Sequence, residues 1–142
     1  MSKGDTFEND ILRLIFNATA IANLADNAAT SPNTQLFVSL HTADPGEAGS
    51  QSTSETTYTG YARVGVNRNT GGWTVTTNSV SPVANIVFGN CTAGTATITH
   101  FGVGTASTGT GKLLYKGTVV PNIAVSTGVT PTLTTASTIT ED

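Results

Sequence analysis

Gln35-Leu36-Phe37-Val38-Ser39-Leu40-His41-Thr42-Ala43-Asp44-Pro45-Gly46 is a period-two run that ends abruptly in a turn. Successive side chains of a strand point to opposite faces, so Leu36, Val38 and Leu40 fall on one side and Phe37, Ser39 and His41 on the other. Asp44-Pro45-Gly46 then turns the chain, because proline presets φ for a turn and glycine accepts a positive φ without steric cost.

Downstream of this strand the pattern repeats. Candidate strands cover 35–42, 61–68, 72–77, 83–89, 95–103 and 112–120, with two more near 123–140. Turn signals separate them at Asn69-Thr70-Gly71-Gly72, Ser81-Pro82, Gly89-Asn90, Thr108-Gly109-Thr110-Gly111 and Thr127-Gly128. No helical pattern alternates with them. The expectation for 35–142 is an antiparallel β-sandwich or jelly-roll of about eight strands, a mainly β fold. The stretch 46–60 has no apolar anchor and no periodicity, and reads as a long loop that is either solvated or in contact with a partner.

Upstream the chain changes character. Phe7, Ile11, Leu14, Ile15, Ala18, Ile21, Ala22 and Ala25 recur at helical spacing and predict a helix near 6–27 within an N-terminal arm, 1–34. Asp5 or Thr6 would cap it, with Glu8 three residues after Asp5, and Asn27 with Thr30-Ser31-Pro32 would end it. Leu12 and Phe16 lie off the main stripe and widen the apolar surface. Such a helix either closes the end of the sandwich or docks onto a neighbouring subunit.

Composition narrows the function. Only 11% of the 142 residues are charged, whereas 28 are threonine, whose branched Cβ suits pleated surfaces. A net charge of -3 with six scattered Lys and Arg argues against nucleic-acid binding, which needs a concentrated basic patch. No apolar run approaches the ~18–20 residues of a membrane span, and the N-terminus lacks the layout of a secretory signal, so synthesis in a cytoplasm without export is expected. The single cysteine, Cys91, excludes an intramolecular disulfide.

Chemistry-bearing constellations are sparse. His41, Asp44 and His100 would make a poor metal site without a ligand motif, and read better as residues bonded to backbone or turn carboxylates. Cys91 has no base beside it, and Gly102-Val103-Gly104 is followed by a strand rather than the helix of a dinucleotide fingerprint. Neither catalysis nor a cofactor or metal is expected. Trp73, Tyr58, Tyr61 and Tyr115 raise a glycan-binding alternative, against a core or interface role. Arg63 is directed opposite to Ala62 and Val64, towards solvent or a carboxylate.

Leu40-His41-Thr42-Ala43-Asp44-Pro45-Gly46, Tyr61-Ala62-Arg63, Thr99-His100-Phe101-Gly102 and Leu113-Leu114-Tyr115-Lys116-Gly117, in that order and spacing, resemble a family of small tailed-bacteriophage virion proteins. The likeness covers about 35–142, and its members carry head-decoration or tail-fibre-like labels. It departs at Val103-Gly104-Thr105-Ala106, where similar proteins tend to carry an aromatic before an acid. The resemblance implies a virion structural role without catalysis. A chain of 142 residues without internal repeats cannot supply a fibre shaft. The expectation is therefore a decoration or cement protein on the head surface, bridging neighbouring major capsid subunits, homo-oligomeric (trimer, or dimer). Phe7, Ile11, Leu12, Ile15 and Phe16 of the helix, with Glu47, Glu55 and Arg63, are the expected partner-binding residues. A receptor- or glycan-binding module at the tail tip is the alternative.

Overall fold

The structure, a computed structural model, describes residues 5–21 and 32–141. The chain is mainly β, the expected sandwich class, and its described residues form one N-terminal helix and nine strands in antiparallel sheets, in place of about eight strands. The described residues form two compact units, and the chain passes between them more than once.

One unit joins the residues up to 35, Val66–Asn85 and the residues from 133 onward. Helix α1 (Asp5–Asn17) packs here against strands β3 (Trp73–Thr76) and β4 (Ser79–Pro82), so it is part of a folded unit and not a separate arm over 1–34. Its buried face is Glu8, Leu12 and Phe16, one helical turn apart, with Leu12 and Phe16 both 0% exposed. Phe16 meets Trp73 edge-to-face, ring centroids 4.8 Å apart. The longer stripe favoured by periodicity is the outer one: Ile11, Leu14 and Ile15 are half-buried and Phe7 is exposed.

The helix stops at Asn17, ten residues short of the expected 27, because Ala18 turns left-handed with φ 54°. Thr19 N–H then reaches back to the Arg13 carbonyl at 3.1 Å. The Leu14 and Ile15 carbonyls, orphaned at the helix end, accept Nη2–H and Nε–H of Arg68, each at 2.5 Å. A cation from the segment just before β3 thus supplies the C-terminal charge that the helix lacks in its own last turn. Ala22, Ala25 and Asn27 lie outside the described residues, as does the side chain of Asp5.

β3 and β4 form a hairpin with Trp73 opposite Pro82 and Thr76 opposite Ser79. The loop is Thr77-Asn78, with Thr77 at φ 53°, the positive value such tight loops require. Ser81-Pro82, expected as a turn, instead ends β4: a strand terminus tolerates proline, and Val80 and Pro82 are buried while Ser79 and Ser81 are half-buried. β9 (Ile139–Thr140) pairs with β4 and completes a sheet of order β3-β4-β9.

The other unit comprises Leu36–Gly65 and Ile86–Thr132. Its principal sheet has the order β2-β1-β6-β7, from β2 (Val64–Asn67), β1 (Gln35–His41), β6 (Ala96–Gly104) and β7 (Leu113–Val125). β1 runs antiparallel to β6, with Phe37 opposite Gly104 and His41 opposite His100. β5 (Ile86–Val87) and β8 (Thr132–Leu133) make a small two-stranded sheet, much less than the strand expected over 83–89. Leu36, Val38 and Leu40 are buried as the alternation predicts, but Ser39 and His41 on the opposite face are buried too. Gly102 explains how they fit: a Cβ there would lie 2.9 Å from both His41 Nε2 and Ser39 Oγ, so only glycine leaves them room. Facing Phe101, Gly117 is covered by that ring, which occupies the space a side chain would take.

Candidate functional site

The segment expected as an unanchored loop over 46–60 is ordered by polar side chains. Gln51 is fully buried. Its amide nitrogen donates to the Phe37 carbonyl at 3.0 Å, and its amide oxygen accepts Ala106 N–H at 2.9 Å. Its backbone N–H reaches the Gly111 carbonyl, so one residue fastens the segment to β1 and to the turn before β7. His41 holds the next portion, its Nδ1 bonded to the Thr53 carbonyl at 2.8 Å and its Nε2 to Ser39 Oγ at 2.9 Å. Burial keeps this imidazole's pKa below the ordinary value.

Glu55 and Arg63 come together as a pair. Arg63 Nε and Nη2 each donate to one oxygen of the Glu55 carboxylate at 2.7 Å, a two-pronged contact that only guanidinium geometry allows. Arg63 Nη1 also donates to the Ala106 carbonyl and Nη2 to the Gly109 carbonyl. Tyr61 donates its hydroxyl to Glu55 Oε1 at 2.7 Å and accepts Leu40 N–H at 3.0 Å. Burial drives the Tyr61 phenol far above its usual range, and the bond to Glu55 raises the Arg63 pKa further. The Arg63 side chain is 3% exposed and that of Glu55 15%, so the pair expected to meet a partner is instead an internal clasp.

Beside the clasp lies a groove of about 320 Å³. Thr56, Thr57, Tyr61, Ala62, Ser107 and Thr108 contribute to its lining, together with Glu55 and Arg63. Thr57, Ala62, Ser107 and Thr108 are exposed, whereas Thr56 is buried and its hydroxyl has no hydrogen-bond partner.

The remaining candidates are dispersed. Glu47 is 97% exposed and lies 3.4 Å from Lys116 Nζ, which also approaches Asp44 at 3.0 Å. Gly46 N–H and then Lys116 hold the Asp44 carboxyl below its usual range, while Asp44 raises Lys116. Leu12 and Phe16 are interior residues, which removes them from any docking face and leaves Phe7, Ile11 and Ile15 as the accessible helix positions. Trp73 and Tyr58 are buried, the first against Phe16 and the second with its hydroxyl on the Gly89 carbonyl, so neither presents a ring for sugar stacking. Among the described residues, no group of three or more His, Cys, Asp or Glu is placed to hold a metal ion, and no helix is long and apolar enough to cross a membrane. Cys91 is buried.

Sequence reasoning missed Gln51, the role of Tyr61 and the 106–109 side of the groove. A lone glutamine in a hydroxyl-rich segment was the available signal for the first. The Thr108-Gly109-Thr110-Gly111 run read only as a turn, and its Gly109 carbonyl proved to accept from Arg63, as the Ala106 carbonyl just before it does.

A family model described as podophage GP4 fiber I protein gp80 matches residues 3–140. No curated protein matches the chain.

Proposed function

The chain belongs to the podophage GP4 fiber I protein gp80 family, a family of bacteriophage virion structural proteins, and from this we propose that it is a non-catalytic subunit of a phage fibre. The observation carrying this reading is the extent of the match: residues 3–140, which take in the helix as well as the sheet that holds β1 and β7. The chemistry of the fold supports it. Residues with catalytic potential are bonded within the chain, His41 to Ser39 and Thr53, Glu55 to Arg63 and Tyr61, Asp44 to Lys116. Threonine-rich strands and few free charges suit a subunit that packs against copies of itself, and a homo-oligomer, trimeric or dimeric, is the proposed building block.

The expected head-decoration role, with the major capsid protein as partner, rested on the family likeness, on a chain without the repeats of a shaft and on a doubly apolar helix. The burial of Leu12 and Phe16 weakens the last of these. Immunogold labelling of intact virions with antibodies raised against the purified chain separates the two. Gold confined to fibres is expected; gold spread over the head shell refutes the fibre assignment and restores decoration.

A further inference from the structure

We propose that the outward stripe of helix α1, Phe7, Ile11 and Leu14, is the seam through which two copies of the chain join, their helices antiparallel about a twofold axis. This rests on the homo-oligomeric building block above and gives it a surface and a symmetry.

Helix α1 carries two apolar stripes, and its own unit takes up one. Leu12 and Phe16 are fully buried, and the helix packs on β3 and β4. At about 100° per residue, Phe7 lies about 140° around the helix from Leu12, away from that core. Phe7 is 40% exposed, and Ile11 and Leu14 are half-buried. Positions 7, 11 and 14 step by four and then by three. That alternation is the seam spacing of helices that pack on other helices at a shallow angle, because it keeps one narrow line of side chains facing the neighbour. The described residues contain no other helix to take this seam, and a second copy of the chain supplies one.

Charge along the helix fixes the orientation. Glu8 and Asp10 lie in its first half, and its far end is served by the Arg68 guanidinium on the Leu14 and Ile15 carbonyls. Parallel helices would set Asp10 beside Asp10 and Arg68 beside Arg68. Antiparallel helices set Asp10 of each copy alongside the Arg68 end of the other, and they also oppose the two helix dipoles. Ile11 of one copy then meets Leu14 of the other, twice by symmetry, with Phe7 closing each end of the seam. A helix of 13 residues is about 20 Å long, so the contact falls below the roughly 1,200 Å² of a standard stable interface. It is therefore weak in dilute solution and gains strength where copies are held together in one particle.

The test is sedimentation equilibrium of the full chain, wild type and Phe7→Asp, at concentrations from the micromolar to the millimolar range. Phe7 is exposed and sits in the first turn, where a carboxylate suits the helix dipole, so the variant keeps its fold, as an unchanged melting curve verifies. The expected result is a monomer–dimer equilibrium with a dissociation constant on the order of 10–100 μM, weakened about tenfold or more in Phe7→Asp. Orientation is read by pulsed EPR between nitroxides on Thr6→Cys, an exposed position, since Cys91 is buried and stays unlabelled. Antiparallel pairing places the two labelled positions about 20 Å apart along the helix axis, whereas parallel pairing brings them side by side. Association undiminished in Phe7→Asp, or labels side by side, overturns the seam and leaves the oligomer to another face or another symmetry. A chain that stays monomeric at every concentration overturns the seam and the homo-oligomer together, while the fibre assignment still stands or falls with the immunogold labelling.

Discussion

Helix α1 in one unit and the 47–60 segment in the other are held by different physics. In the helical unit, Leu12, Phe16 and Trp73 make an apolar contact surface whose strength is area and shape. In the other unit, the 47–60 segment is secured by Gln51, His41 and the Glu55–Arg63–Tyr61 clasp, polar groups satisfied one by one. The first kind of packing degrades gradually with lost carbon. The second fails abruptly, because each buried polar group loses its value when its partner goes. A chain with 11% charged residues has few ion pairs to spend, and it places the best of them under a loop.

Four measurements would break or sharpen this contrast. The largest effect is expected for Phe16→Ala, which empties a fully buried site against Trp73 and should cost about 3–5 kcal/mol in denaturant unfolding; a loss below about 1 kcal/mol would mean that the helix is not packed there. Arg63→Ala follows, at about 3 kcal/mol, because it strands a largely buried carboxylate. Arg63→Lys should recover only part of that, since a point charge cannot reproduce the two-pronged contact. Gln51→Ala leaves the Phe37 carbonyl and the Ala106 N–H unpaired and should cost about 2 kcal/mol, with amide exchange accelerated selectively over 47–60.

The smallest expected effect is pH-dependent. His41 has a folded pKa below its ordinary 6.5, with burial the main cause. As pH falls, the unfolded chain takes the proton first, so its stability contribution is complete above the ordinary value. It is lost as pH falls through 6.5 towards the lowered folded value, and then levels off. Melting temperature measured from pH ~8 to ~5 should therefore decline on the acid side, and His41→Gln should flatten that part of the curve. An unchanged slope would show that His41 is not the group responsible.

Apolar packing, in both units, was partly legible from residue spacing. Strand β1 and its buried Leu36, Val38 and Leu40 follow from strict alternation, and the presence of a helix follows from its periodicity. Which face of that helix turns inward did not follow. Two apolar stripes competed, and the choice was made by Trp73, more than fifty residues away in sequence, packing on the shorter one. The end of the helix was hidden for a similar reason: an alanine in the left-handed region leaves no compositional mark, and the capping charge comes from Arg68. The polar half was almost illegible. Gln51, Glu55 and Arg63 look like ordinary solvated residues in a loop, and only tertiary placement turns them into anchors. Ser81-Pro82 misled because proline signals a turn wherever context is unknown, yet a strand end accepts it.

The most direct test of the fibre assignment is the copy number of this chain in purified virions, measured by quantitative mass spectrometry against the major shell protein. A small fixed ratio matching the number of fibres times the subunits in each is the predicted result. A copy number in simple stoichiometry with the shell subunit would contradict it and place the chain on the head.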